Sequence, residues 1–238
     1  MKKISEKMFV GVVANIVIAV LIVSVFMIGF AGKIEGTFVF EQMVKPYYQG
    51  KTESKDVSIM INVYWGNEYI LSMLETLKKA NVKATFFIGG MWAEKYPQLL
   101  KSIYESGNEI ANHGYFHKSQ DKMNYKQNYE EIRASERMIQ SVVGIKTNLF
   151  APPSGAFNKE TLKAAEDLGY KTIMWSKDTI DWRDKDAELI FNRATKKIKG
   201  GDLILMHPTE ATDKALSRIL NYFKINGFNV TIVSKNIE

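Results

Sequence analysis

From residue 57 to residue 233 the chain alternates short runs rich in β-branched and aromatic residues with longer stretches whose apolar side chains recur at helical spacing. That alternation constrains the fold most, because strands separated by helices of this length become parallel neighbours covered by those helices. The runs 57–63, 83–88, 109–111, 146–150, 171–175, 203–206 and 229–233 read as strands. The intervening stretches 68–80, 93–105, 125–142, 159–168, 186–198 and 211–225 read as helices. The first of them places Ile70, Met73, Leu74 and Leu77 on one face. The expectation is an α/β architecture of about seven strands, either an open doubly wound sheet or a closed barrel.

In parallel α/β folds, sites form at the carboxyl ends of the strands. Tyr64-Trp65-Gly66, His113, Ala151-Pro152-Pro153, Asp178 and His207 all stand just past such ends. The chain has three histidines, and two of them, His113 and His117, lie four residues apart in Asn112-His113-Gly114-Tyr115-Phe116-His117. Two imidazoles at that spacing can meet one metal ion on a helix or tight loop, although the spacing alone also describes a pair of turn histidines. There is no cysteine, which excludes disulfides and thiolate ligands. Any metal must use nitrogen and oxygen donors.

Residues 8–32 carry no charge, and Asn15 and Ser24 are their only strongly polar side chains. A helix needs ~20 apolar residues to cross a bilayer, so the segment is long enough to span. A cleavable signal peptide has a shorter apolar region and a small-x-small site, to which Gly29-Phe30-Ala31-Gly32 conforms poorly. The expectation is an uncleaved anchor. Lys2, Lys3 and Lys7 precede it, placing the N-terminus in the cytoplasm and the rest of the chain outside. The organisation is then a cytoplasmic tip and transmembrane anchor over 1–32, a linker over 33–56 and one folded domain over 57–238. The net charge of +6 is scattered and forms no basic stripe with interleaved aromatics, which argues against a nucleic-acid partner.

Five stretches, in this order, carry a resemblance to a known family: Lys83-Ala84-Thr85-Phe86-Phe87, Asn112 through His117, Pro152-Pro153-Ser154-Gly155-Ala156-Phe157, Trp175 through Trp182, and Leu205-Met206-His207. Together they resemble the polysaccharide deacetylases, the carbohydrate esterases with a NodB homology domain, over roughly 57–235. The Ile61-Asn62-Val63-Tyr64-Trp65-Gly66 stretch looks like that of membrane-anchored sporulation members. The resemblance implies a distorted (β/α) barrel of about seven strands and a cell-envelope glycan, such as peptidoglycan, as substrate. It also implies a divalent metal, usually zinc, on His113, His117 and a carboxylate. His207 would protonate the leaving amine. Asp181, or alternatively Asp178, would orient His207. Ser154 and Pro153 belong to the stretch that faces the developing oxyanion, and Trp182 would wall the pocket.

Two departures stand out. The family's first motif supplies two aspartates, one as base and one as ligand, and both are missing here. If that motif is read as Asp-x-Asp, Asn62 and Tyr64 replace them; if as Asp-Asp, Tyr64 and Trp65 do. Tyr64 replaces a carboxylate in either register. The second departure is Ala151, where the family often has an arginine that pairs with the base; without the aspartate, a buried guanidinium there would be uncompensated. The first expectation is therefore a membrane-anchored, metal-dependent de-N-acetylase weakened at its first motif. The alternative is an inactive, glycan-binding or structural relative. For Asp178 and Asp181 the plain reading is that they cap the loop before the helix 186–198.

Overall fold

The computed structural model describes residues 2–31 and 45–238. They fall into two units, divided between Met43 and Val44.

The first unit contains helix α1 (Lys2–Ala31). Its stretch Met8–Met27 is long and apolar enough to cross a membrane, and its side chains are exposed. Gly32 and residues 33–44, which hold the end of the expected anchor and half of the expected linker, lie outside the described residues.

In the second unit, β1 (Asp56–Val63), β2 (Thr85–Ile88), β3 (Glu109–Asn112), β4 (Leu149–Phe150), β5 (Lys171–Thr172), β6 (Lys177–Asp178) and β7 (Leu203–Met206) form one parallel sheet. Its order is β5-β4-β3-β2-β1-β7-β6, with β8 (Asn229–Val230) paired to the start of β1. The opposite edges, β5 and β6, are consecutive in the chain and only residues 173–176 join them, so the sheet must curl towards closure. The result is the distorted half-barrel expected from the sequence.

The helices are α2 (Ile70–Lys79), α3 (Gly90–Lys95), α4 (Pro97–Glu105), α5 (Tyr125–Val143), α6 (Lys159–Asp167), α7 (Ala187–Thr195), α8 (Glu210–Ile225) and α9 (Val233–Ile237). Alternation along β1 separates two cores. Val57, Ile59, Ile61 and Val63 pack outward under the helices, with Phe86, Ile88, Ile219 and Phe223. Met60 packs inward with Phe87, Ala111, Leu149 and Ile173. Asn62 has the same parity as Met60 and so faces the interior, at the carboxyl end where the barrel opens.

Four sequence boundaries move. The expected helix 93–105 is two helices, because Pro97 starts a new one after Tyr96. The expected strand 171–175 stops at Thr172, where Tyr47 intervenes: the Tyr47 amide donates to Thr172 O at 2.9 Å and Met174 N donates to Tyr47 O at 2.7 Å. Residues 45–51, assigned to the linker, thus belong to the barrel wall; Gly50 N also donates to Gly201 O at 2.7 Å. The expected strand 229–233 ends at Val230, because Val233 N is taken by Thr85 Oγ1 at 2.8 Å and Ser234 N by Glu109 Oε2 at 3.2 Å. These bonds start α9, which covers the amino ends of the strands.

Helix α5 begins with a capping box in which Asn124 Oδ1 accepts from Gln127 N at 3.0 Å and Gln127 Oε1 accepts from Asn124 N at 3.0 Å. Asn124→Ala is expected to cost about 1 kcal/mol in chemical denaturation and to leave ligand binding unchanged. A cost below a few tenths would show that neighbouring contacts, not the cap, fix the helix start.

Candidate functional site

The carboxyl ends of β1, β3, β6 and β7 open onto one cleft of about 590 Å³. It is lined by Asn62, Tyr64, Trp65, His113, His117, Ser154, Trp175, Asp178, Trp182, Leu205 and His207. Of the residues expected from sequence, Asp181 and Pro153 lie outside this lining. Asp181 is buried behind His207, and Pro153 packs under the histidine loop against Gly114.

Two of the three histidines, His113 and His207, are oriented by a hydrogen bond from Nδ1. His113 Nδ1 donates to the Ala151 carbonyl at 2.8 Å, tying β3 to the segment after β4 and leaving Nε2 as an acceptor. Burial first, and then repulsion from a charged His117, push the His113 imidazole down to about 3, against the opposing bond to Ala151. It is neutral at physiological pH, the form a ligand needs. His117 is also shifted down, chiefly by burial and then by His207. The two rings stand 5.1 Å apart, edge to face.

The loop carrying them is held by residues that sequence reasoning passed over. Asn112 Oδ1 accepts from Gly114 N at 2.8 Å, while its Nδ2 donates to Ile132 O at 2.8 Å and Tyr170 Oη at 3.2 Å. Glu131 of α5 accepts from the amides of Tyr115 at 3.1 Å and Phe116 at 2.9 Å. These bonds support His117 in the left-handed region, at φ 54°, which a non-glycine residue adopts only when its surroundings compel it. A signal for Glu131 exists in the sequence: Asn128, Glu131 and Ser135 put polar groups on the same buried stripe as Ile132 and Ile139.

His207 has an unambiguous carboxylate partner. Asp181 Oδ1 accepts from its Nδ1 at 2.8 Å; Asp181 Oδ2 accepts from the His207 amide at 2.6 Å and from Thr212 Oγ1 at 2.5 Å. Asp178 instead closes a local turn, accepting from Ile180 N at 2.8 Å, and presents its carboxylate to the cleft. The loop-capping reading thus describes Asp178 and not Asp181, while α7 itself is capped by Asp186.

Position 64 is where the cleft departs most from a metal centre. The Tyr64 ring stacks on His117 at 4.7 Å, and its hydroxyl lies 3.3 Å from the Phe116 carbonyl and 3.5 Å from Met91 Sδ. Gly89 makes room for it: a Cβ there would lie 2.6 Å from Tyr64 Cδ2. Trp65 stacks similarly on His207 at 5.6 Å. Asn62 is 4% exposed, and its Oδ1 has no hydrogen-bond partner.

Zinc sites take at least three protein ligands, and beside the His113 and His117 imidazoles the first-motif positions offer only a neutral amide, an indole and a phenol engaged elsewhere. Among the described residues no group of three histidine or carboxylate side chains could hold a metal ion. The donor set does not fit the divalent metal that the family resemblance implies.

The polysaccharide deacetylase family model matches residues 49–173, more than half of the chain. The chain belongs to the polysaccharide deacetylase family. Among curated relatives it is 38% identical to the protein YlxY of Bacillus subtilis over 194 residues, covering 82% of this chain and 61% of that one. It is 31% identical to a peptidoglycan-N-acetylglucosamine deacetylase of Bacillus cereus over 173 residues, covering 70% of this chain and 81% of the relative. The chain thus spans about 60% of the length of the first curated relatives it matches. Among solved structures, a carbohydrate esterase family 4 pseudoenzyme from Bacillus anthracis superimposes with a TM-score of 0.80 at 37% identity, covering 82% of this chain and 69% of that one. A mutant of that pseudoenzyme, described as having restored enzymatic activity, superimposes equally well at 36% identity.

Proposed function

We propose that this polysaccharide deacetylase family member binds an N-acetylglucosamine-containing envelope glycan without hydrolysing it, and that residues 8–32 tether it to the outer face of the cell membrane. The observation that carries the proposal is Tyr64, which stacks on His117 and bonds to the Phe116 carbonyl where the deacetylation chemistry needs a carboxylate. Asn62 and Trp65, the alternative positions for the second carboxylate, cannot take a proton from water either. Relatives named as peptidoglycan deacetylases supply the substrate class, and the similar pseudoenzyme supports loss of the reaction on this scaffold.

The chain's own residues suit binding. Trp65 and Trp182 are 41% and 56% exposed at the cleft, and their faces can stack on sugar rings. His207, steadied by Asp181, keeps Nε2 for a ligand hydroxyl or amine.

A second reading, slow hydrolysis, rests on His113, His207 and Asp181 being held in orientation by hydrogen bonds. The deciding experiment assays acetate release from an N-acetylglucosamine hexamer by the full, detergent-solubilised chain, with zinc, cobalt and manganese, alongside calorimetric glycan binding. Binding without acetate is the expected result. Acetate release that His207→Ala abolishes would overturn the proposal and establish the second reading.

A further inference from the structure

The side chains lining the cleft include one carboxylate, on Asp178, and neither lysine nor arginine; their donors, Ser154 and the indole N–H groups of Trp65, Trp175 and Trp182, are neutral. His113 and His207 both turn Nδ1 away from the cleft, to Ala151 O and to Asp181, so Nε2 is the nitrogen each presents to a ligand. Among the lining residues, Asp178 alone contributes a carboxylate, with one oxygen used by Ile180 N. Asn62 adds a carbonyl oxygen that has no donor. Arg183 lies within electrostatic reach of Asp178, but it grips both oxygens of Asp184 at 2.9 Å.

Such a cleft suits an acetamide poorly. The acetyl carbonyl would meet only neutral donors here, such as Ser154 and the tryptophan indoles, with no fitting metal ligand set and neither lysine nor arginine to polarise it. An ammonium has three donors and a positive charge, and its hydrogen bonds to a carboxylate or imidazole are charge-assisted.

We propose that the cleft is a receptor for amino sugars bearing a free ammonium group, so that it prefers the de-N-acetylated glycan to the N-acetylated one, with Asp178 as the counter-charge. This rests on the glycan-binding reading above and narrows its ligand class. It also places the protein after a de-N-acetylation reaction carried out by another enzyme.

The test measures binding of a fully de-N-acetylated glucosamine hexamer and of its N-acetylated counterpart to the full chain by calorimetry at neutral pH and 0.15 M salt. A preference of about tenfold or more for the free amine is expected. Asp178→Asn, which keeps the acceptor for Ile180 N, is expected to reduce the ratio to about one. The net charge of +6 disfavours general adsorption of a cationic glycan, so a preference reports a local site. Equal or tighter binding of the N-acetylated hexamer would overturn the proposal and leave glycan binding standing. An undiminished preference in Asp178→Asn would overturn it as well. Failure of both hexamers to bind would remove the glycan-binding reading itself.

Discussion

Acetate release from an N-acetylglucosamine hexamer is expected to appear only in variants that carry Tyr64→Asp. The two registers of the first motif disagree about the second carboxylate, at Asn62 or at Trp65, but both need one at 64. Removing the Tyr64 ring empties the space between Gly89 and His117 and frees the His117 face. Aspartate there would give the two imidazoles a third, charged donor. Zinc affinity should rise by about two orders of magnitude, since even outer-sphere partners alter it 10–100-fold. Hydrolysis also needs a base, worth ~10²–10⁴ in rate. The double variants Tyr64→Asp/Trp65→Asp and Tyr64→Asp/Asn62→Asp therefore separate the registers, because only the pair that places the base correctly should reach a rate well above the single variant. Measurable acetate from Asn62→Asp or Trp65→Asp with Tyr64 retained would sink this assignment, as would equal zinc binding by the parent and Tyr64→Asp.

The register ambiguity shows where sequence reasoning stops. Strand–helix alternation made the parallel α/β sheet legible, but it left open sheet and closed barrel as alternatives, the barrel came from the family resemblance, and two-residue β6 showed no β-rich run. What it could not show was strand termination by distant partners. Thr172 ends β5 because Tyr47 takes its carbonyl, and β8 stops short because Thr85 and Glu109 capture the amides that follow. Neither event leaves a local pattern. His113 and His207 stand just past strand ends, while Asp181 was preferred to Asp178 only through the family resemblance, both lying in one irregular loop. The decision comes from Thr212 on α8, whose hydroxyl meets Asp181 together with both donors of His207. Tyr64 was legible as a missing carboxylate but not as a ring laid on His117, since that depends on the space left by Gly89.

Asp181→Ala is expected to destabilise the protein far more than His207→Ala. Asp181 is 2% exposed and accepts three hydrogen bonds that join the loop after β6 to β7 and α8. Removing the carboxylate leaves the His207 amide, its imidazole N–H and the Thr212 hydroxyl without their acceptor. Breaking one side of a buried charged network of this kind costs about 3–5 kcal/mol. His207→Ala removes only one of the three donors and exposes the carboxylate to the cleft, for about 1–2 kcal/mol. Urea denaturation of the full chain in detergent, followed by tryptophan fluorescence, should give that order. Equal costs, or Asp181→Ala within 1 kcal/mol of the parent, would mean that the pair is not needed for the fold. The predicted order accounts for an apparent contradiction in this cleft, where histidines that would serve a reaction remain although the carboxylates that would drive it are gone. His207 sits on an aspartate that holds the barrel wall, and His113 bonds the carbonyl that links β3 to the segment after β4. Asn62 and Trp65 make no such side-chain hydrogen bond between strands, and Tyr64 reaches only the Phe116 carbonyl at 3.3 Å, so the first motif is held less firmly by the fold than the other motifs are.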